Sequence, residues 1–339
     1  MSKALAIKYR PQTFEDLTEQ SAVVTILTNQ IETNTIKHGY LFCGGAGTGK
    51  TTSARIFANM INKGVGTPIE LDAASNNSVE DIRRLTEDAQ TQSIDSEYKV
   101  FVIDECHSLS NQAWQAFLKT LEEPPAKSIF ILCTTNPEKI PATILSRVQR
   151  YNFQRISFEG IVKRLEYVLD KELGNVKLEY KEALEYIAKL ADGGMRDSLT
   201  FLDKCLSYSN ELTMDNVIKA LGVADYNTMF NLNECIFYDN SEGIINIVTD
   251  VFNSGVDLKL FIKNYFEFVL DLNIYCITDN LSCTKIPSTW LDKINSYREG
   301  DWDRLKQLLK FVTELQSEIK WVQNPKSLII AKFMLFVEE

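Results

Sequence analysis

The run Gly44-Gly45-Ala46-Gly47-Thr48-Gly49-Lys50-Thr51-Thr52 fits the spacing G-x-x-x-x-G-K-[ST] at every fixed position. Glycines at these intervals let the backbone turn its N–H groups inward around phosphate oxygens, and a helix starting at once adds the positive end of its dipole. In such a loop Lys50 reaches the β- and γ-phosphates, and the Thr51 hydroxyl can ligate Mg²⁺. Farther along, Lys99-Val100-Phe101-Val102-Ile103 runs into the carboxylate pair Asp104-Glu105. Asp104 is then placed to organise Mg²⁺ through its water shell, and Glu105 to polarise the water that attacks the γ-phosphate. A chance glycine-rich turn or a solvated acidic turn would account for either segment alone. Their joint presence points to a nucleoside triphosphate bound by its phosphates and cleaved by water.

Strands and helices of defined kinds must hold these residues. The loop needs a strand before it, supplied by Tyr40 to Cys43, and a helix after it, supplied by Thr52 to Ile61. The run before Asp104 is continuously rather than alternately apolar, as expected of a strand buried on both faces of a parallel sheet. Its acids fall at the carboxyl end, where ligands bind in open α/β sheets. Ile69 to Ala73, Ser128 to Asn136 and Val148 to Phe153 read as further strands, with a helix over Asn111 to Glu122 and another beginning near Asn76 with acids in its first turn. An amphipathic helix, Ser21 to Glu32, precedes them all. This alternation predicts a three-layer α/β domain on a five-stranded parallel sheet. From Ser157 the pattern turns helical: Phe158 to Lys171, Tyr180 to Asp192, Met195 to Ser207 and Met214 to Leu221 form a small helical lid, punctuated by Gly193-Gly194 and Gly222. Beyond Gly222 everything reads as helix, rich in aromatics at core spacing, with some faces kept for sister subunits. The expected domains are therefore 1–156, 157–222 and 223–339.

With 339 residues, 45% hydrophobic and 24% charged, the chain can bury a substantial core. No apolar run of about 18 residues is present, and the first residues lack the apolar stretch of a signal peptide, so no membrane partner and a cytoplasmic location are expected. Seven scattered cysteines and two histidines suggest neither a disulfide framework nor a zinc site. A formal charge of −10 argues against coating nucleic acid by bulk electrostatics. Local grip on a duplex backbone through helix ends, amides and a few basic side chains stays open.

Tyr9-Arg10-Pro11 with Phe14, Gly44 to Thr51, Asp72-Ala73-Ala74-Ser75, Asp104-Glu105-Cys106-His107-Ser108-Leu109-Ser110, Leu118 to Pro125, Thr134-Thr135-Asn136-Pro137, Ile144-Leu145-Ser146-Arg147 and Gly194-Met195-Arg196-Asp197-Ser198-Leu199 form a set of motifs. Taken jointly, they resemble the AAA+ ATPase subunits of bacterial clamp loaders, the gamma/tau family of DNA polymerase III. The resemblance is specific up to about residue 222, and past there it rests on the helical pattern where that family has its oligomerising collar. It implies an ATP-hydrolysing motor that opens a sliding clamp and sets it on primer-template DNA, using ATP and Mg²⁺ and assembled as a pentamer with delta- and delta-prime-like subunits. It also implies that Thr135 lies at the sensor-1 position and Arg196 at sensor 2. Arg147 corresponds to the arginine finger entering the neighbouring subunit's ATP site, and Tyr9-Arg10-Pro11 to the lining of base and ribose. Thr143 and the helix start from Asn76 through Ser78 to Arg83 correspond to the contacts with the primer-template backbone.

The chain departs from that pattern in places. Asn62 to Thr67 crosses the position where gamma/tau subunits usually carry a four-cysteine zinc module, so no zinc is expected. The usual Ser-Arg-Cys reads Ser146-Arg147-Val148, and the DNA-facing helix start reads Asn76-Asn77-Ser78 where basic residues are common. The end at Glu339 reads as a gamma-length protein without a polymerase-tethering part, from a reduced or viral replisome in a bacterial cell. Two other readings compete. A non-hydrolysing subunit of the same assembly would have no chemical need for Lys50, Thr51, Asp104 and Glu105 together. Another AAA+ machine, such as a Holliday-junction motor or helicase loader, is disfavoured by Glu122-Glu123-Pro124-Pro125, Ser146-Arg147 and the helical last third.

Overall fold

The computed structural model describes residues 3–93, 95–174, 178–222, 226–286, 290–299 and 302–338. The chain divides into two compact units: residues 1–176 with 191–203, and residues 177–190 with 204–339.

The first unit is built on five parallel strands among the described residues: β1 (Gly39–Cys43), β2 (Ile69–Asp72), β3 (Lys99–Asp104), β4 (Ser128–Thr134) and β5 (Gln149–Asn152), in the order β2-β3-β4-β1-β5. Helices α1 (Leu5–Lys8), α2 (Ser21–Glu32), α3 (Lys50–Ile61), α4 (Val79–Ala89), α5 (Asn111–Glu122), α6 (Ala142–Leu145) and α7 (Phe158–Leu173) accompany them. The strand pleat sends alternate side chains to opposite faces, and each face has its own core. Tyr40, Phe42, Val100, Val102, Ile129, Ile131 and Cys133 pack with Leu27 of α2 and Ala54, Phe57 and Ala58 of α3. Leu41, Cys43, Phe101, Ile103, Phe130 and Leu132 pack with Ile82 and Leu85 of α4 and Trp114 and Phe117 of α5. Residues of β1, β3 and β4 are almost all buried, which explains their continuous hydrophobicity, whereas the edge strands β2 and β5 are largely exposed.

This strand order sets up the site. The glycine loop follows β1 and the acid pair ends β3, and the strand between them is β4. The carboxyl ends of three adjacent strands therefore converge. The loop helix begins at Lys50, slightly earlier than its apolar pattern indicates, because Gly49 takes a left-handed N-cap conformation that closes the loop directly into the first turn.

The second unit is helical: α8 (Lys181–Leu190), the end of α9 (Met195–Tyr208), α10 (Met214–Leu221), α11 (Tyr226–Phe237), α12 (Ser241–Asn253), α13 (Leu258–Thr278), α14 (Leu291–Glu299), α15 (Trp302–Glu318) and α16 (Pro325–Glu338). The aromatics singled out by their spacing are mostly core: Phe230, Phe261, Tyr265 and Phe268 are buried, while Tyr238 is 82% and Phe252 51% exposed. Asp271 of α13 is buried too, its carboxylate accepting from the Lys285 amide at 2.8 Å. No helix among the described residues is long and apolar enough to cross a membrane.

Candidate nucleotide site

Within the glycine loop, Gly47 and Gly49 have φ of +70° and +98°, values L side chains rarely adopt. A Cβ on Gly47 would come 3.0 Å from the Gly194 Cα, and the Gly47 carbonyl accepts from the Met195 amide at 3.0 Å. The first turn of α9 thus lies directly on the loop, main chain against main chain. The Lys50 side chain is buried, and its Nζ donates to the Gly44 and Gly45 carbonyls at 2.9 and 2.7 Å. Thr48 donates to the Gly45 carbonyl at 2.9 Å.

Thr51 lies one residue along α3, and its Oγ1 donates to Asp104 Oδ2 at 2.8 Å. Two oxygen ligands at this separation, beside a loop made for phosphates, fit a hard octahedral cation that binds through one or two protein groups plus phosphate and water. Glu105 follows with φ +45°, a left-handed conformation costly for a glutamate and found at functional sites. Thr135, just past β4, donates to Glu105 Oε2 at 3.0 Å, so the intervening strand supplies the group that steadies the acid.

Most of these residues border a cavity of about 470 Å³, within the range of small-molecule sites, while Thr135 stands behind Glu105 and is not in its wall. Its walls include Ala46 to Thr52, Asp104 and Glu105, together with Tyr9, Arg10, Pro11 and Arg196. The sequence-selected residues of the N-terminal segment, the loop, the acid strand and the first turn of α9 are therefore brought together. Gly44 and Gly45 are not among the lining residues, and their carbonyls hold Lys50 instead. Burial first, then the neighbouring Arg55 and Arg196 cations, lowers the Arg10 pKa, while Glu70 and Asp104 oppose that shift. Guanidinium groups crowded in this way are a fit for a polyanionic ligand. Tyr9 is anchored by its hydroxyl, which donates to Glu172 at 2.5 Å, and its carbonyl accepts from Arg164 at 2.9 Å. Burial, followed by the bond to Glu172, pushes the Tyr9 pKa up to about 12.

Arg55, Glu70 and Arg164, which no sequence motif singles out, also line the cavity, as does Asp72 of the Asp72-Ala73-Ala74-Ser75 motif, to which the sequence assigns no role there. Arg55 donates to Glu70 at 2.5 Å. Period-2 alternation puts Glu70 on the same strand face as Asp72, and Arg55 lies four residues after Thr51 on one helix face. Those periodicities were the available signals.

Arg147 lies elsewhere. Tyr40 of β1 pairs with Gln149 of β5, and a Cβ on Gly39 would stand 3.3 Å from the Arg147 carbonyl, which places Arg147 level with the start of β1. The loop begins past the other end of that strand, about 20 Å away at roughly 3.3 Å per residue. Arg147 donates to Glu122 at 2.5 Å and to the Thr143 carbonyl at 2.6 Å. Asn76 donates to the Asp72 carbonyl at 3.1 Å. Ser78 caps α4, its hydroxyl donating to Asp81 Oδ2 at 2.6 Å and accepting from the Asp81 amide at 3.2 Å in a reciprocal box. Arg83 is exposed on α4, and Thr143 is exposed in the short α6.

A glycine loop closing β1, an acid pair closing β3 and a hydroxyl just past β4 stand together at the carboxyl edge of the sheet, in the arrangement of an ATPase of the AAA+ class. Successive stretches of the chain match three family profiles: DNA polymerase III delta subunit over residues 67–157, clamp loader ATPase lid domain over 160–211, and domain III of the gamma and tau subunits over 212–328. The chain belongs to the clamp loader ATPase family of DNA polymerase III gamma and tau subunits. The subunit tau of Bacillus subtilis is 34% identical over 354 aligned residues, taking in 96% of this chain and 61% of that protein. Subunit tau of Escherichia coli is 35% identical over 277 residues, 75% of this chain and 43% of its own length. The chain thus spans under two thirds of these relatives. Among solved structures, the RuvB Holliday junction branch migration motor of Thermotoga maritima superposes with a TM-score of 0.50 at 18% identity, covering 68% of this chain and 80% of its own, a likeness of fold alone.

Proposed function

We propose that the chain binds and hydrolyses ATP as the motor subunit of a sliding-clamp loader, opening the clamp and placing it on primer-template DNA. The observation that carries this reading is the 2.8 Å bond from Thr51 to Asp104 beside a Glu105 already held by Thr135. In the proposed mechanism, the amides of Ala46 to Thr52 and the Lys50 ammonium bind the phosphates, Lys50 exchanging its loop carbonyls for phosphate oxygens. Thr51 and Asp104 would hold Mg²⁺, which when bound neutralises charge on the β- and γ-phosphates. Glu105 accepts a hydrogen bond from the attacking water, and Thr135 keeps its carboxylate from rotating away. Arg196 contributes a cation from the first turn of α9, while Tyr9, Arg10 and Pro11 border the base and ribose.

Arg147, too far from its own loop, serves the site of an adjacent subunit in an assembly with delta- and delta-prime-like partners, formed through residues 223–339. In this reading 1–156 is the nucleotide domain and 157–222 the lid, and the protein works in the bacterial cytoplasm. Contact with DNA is made through the backbone, by Arg83, Thr143 and the segment from Asn76 to Ser78. The test is ATP turnover by the assembled complex with primed DNA and clamp, against turnover with branched DNA. Stimulation by branched DNA alone would overturn the loader reading.

A further inference from the structure

His107 has no part in the chemistry described so far, yet it touches the residue that chemistry depends on. It sits in the 3₁₀ turn Cys106–Ser108 directly after Glu105. The left-handed backbone of Glu105 folds the chain back so that residue 107 faces the carboxylate at 105. His107 Nδ1 lies 3.2 Å from Glu105 Oε2 and 3.1 Å from Thr134 Oγ1, and the ring is mostly buried. Thr134 Oγ1 is itself fixed, since it accepts from the Asn136 amide at 3.0 Å.

We propose that His107 is a positioning residue for Glu105, donating from Nδ1 to Oε2 and so setting the angle at which the carboxylate meets the attacking water. The role rests on the ATPase reading above. A bare Nδ1 accepts from the Thr134 hydroxyl at 3.1 Å but sets its lone pair against a carboxylate oxygen at 3.2 Å, whereas a protonated Nδ1 offers its hydrogen to Thr134 Oγ1 and Glu105 Oε2 together. The lone-pair approach to the carboxylate counts against the bare form, and the proposed role places the proton on Nδ1. Oε2 then receives Thr135 Oγ1 at 3.0 Å and a share of the His107 Nδ1 hydrogen, divided with Thr134 Oγ1, from different elements. With one oxygen pinned twice, the carboxylate loses its rotation, and Oε1, which has no hydrogen bond among the described residues, is the oxygen offered to water. Thr135 alone would fix one oxygen but leave the carboxylate free to swing about that single bond. Aligning a base contributes to the rate without strengthening ground-state nucleotide binding, so the effect belongs in kcat.

The test uses the full chain and two independent readouts. Nitrogen-15 NMR of the imidazoles needs only one assignment, because His38 is the other histidine in the sequence. A protonated Nδ1 on His107 is expected, and a bare Nδ1 overturns the role whatever the turnover. In steady-state hydrolysis by the assembled complex with Mg²⁺, His107→Ala and His107→Gln should each lower kcat on the order of tenfold with KM changed by less than about twofold. His107→Asn should stay near wild type, because its amide nitrogen sits where Nδ1 sat, while that of glutamine reaches past it. Full kcat in His107→Gln, or equal loss in all three variants, overturns the role. Should His107→Ala not fold, the contrast between Asn and Gln decides. A wild-type assembly with clamp and primed DNA that binds ATP without turning it over overturns the ATPase reading itself, which the NMR result does not depend on.

Discussion

In the free chain Arg147 is held by Glu122 and the Thr143 carbonyl, and in the assembly we expect it to leave them for a neighbour's ATP. The side chains of the Arg147–Glu122 pair are 32% and 50% exposed, and ion pairs this open are worth at most about 1 kcal/mol. Freeing the finger therefore costs no more than about a fivefold factor. An arginine supplied in trans to a phosphoryl transfer is worth on the order of 10³-fold or more, about 4 kcal/mol of barrier. The second effect dominates the first. Arg147→Ala should bind ATP normally as an isolated chain and lose roughly three orders of magnitude of DNA- and clamp-stimulated hydrolysis in the complex. Glu122→Gln, which only releases the finger, should raise that rate by less than about fivefold. Phosphate release from complexes of defined composition is the assay. Mixed assemblies of Arg147→Ala and Lys50→Ala subunits should regain activity, because one contributes a sound loop and the other a finger. Full stimulated turnover by Arg147→Ala, or mixed assemblies as inactive as either parent at normal yield, would refute action in trans.

Lys50→Ala should abolish nucleotide binding, whereas Glu105→Gln should keep binding and lose turnover; fluorescent-nucleotide titration beside single-turnover hydrolysis separates the two, and undiminished hydrolysis by Glu105→Gln would remove Glu105 from its role. Chelation should stop hydrolysis and Mg²⁺ restore it, while elemental analysis of chelator-washed protein should find no stoichiometric zinc; one zinc per chain would contradict the expectation. Asp271 gives a pH test in the helical unit. Burial first raises its pKa from 3.8 to about 6, against the opposing Lys285 amide bond and the Lys285 and Lys189 charges and with help from Glu267. The folded state therefore takes up this proton first, so the penalty for a buried carboxylate is absent below about pH 4 and fully present above about pH 6. Asp271→Asn keeps an acceptor for the Lys285 amide and cannot ionise. Urea unfolding should find it more stable than wild type on the order of 2 kcal/mol at pH 8, with the difference closing toward pH 4. A gap that does not change with pH would show that the carboxyl is not titrating as argued.

Local spacing carried the parts of the site that are local. The glycine loop was legible because its conformation is dictated by residues within a few positions of one another, and Asp104-Glu105 because a strand buried on both faces announces itself by an unbroken apolar run. The bond from Thr135 to Glu105 was not legible from spacing, since it depends on β4 lying between β1 and β3, a fact of strand order. Arg55 and Glu70 meet across the gap between a helix and an edge strand, and single-element periodicity does not register such pairs. The start of α4 was readable as a cap with acids in its first turn, but not that Asp81 engages both the amide and the hydroxyl of Ser78. An anion approaching that helix end would meet a carboxylate already in place, so the proposed backbone contact would fall more on Arg83.

The contrast between the buried centre and the open edges of the sheet has a consequence for hydrogen exchange. Amides of β1, bonded to β4 on one side and β5 on the other and buried throughout, should exchange only when the whole unit unfolds. Amides of β2, an edge strand with mostly exposed side chains, should exchange through local fraying at far lower cost. The glycine loop grows from one of these interior strands. Glu70 and Asp72, and at the other margin the approach to β5 that carries Arg147, lie where protons are lost first. A protection map of the free chain should therefore show slow exchange at the interior strands, falling toward both edges, so that Glu70 and Asp72 of the cavity wall and the segment leading into β5 sit on the most yielding strands of the sheet.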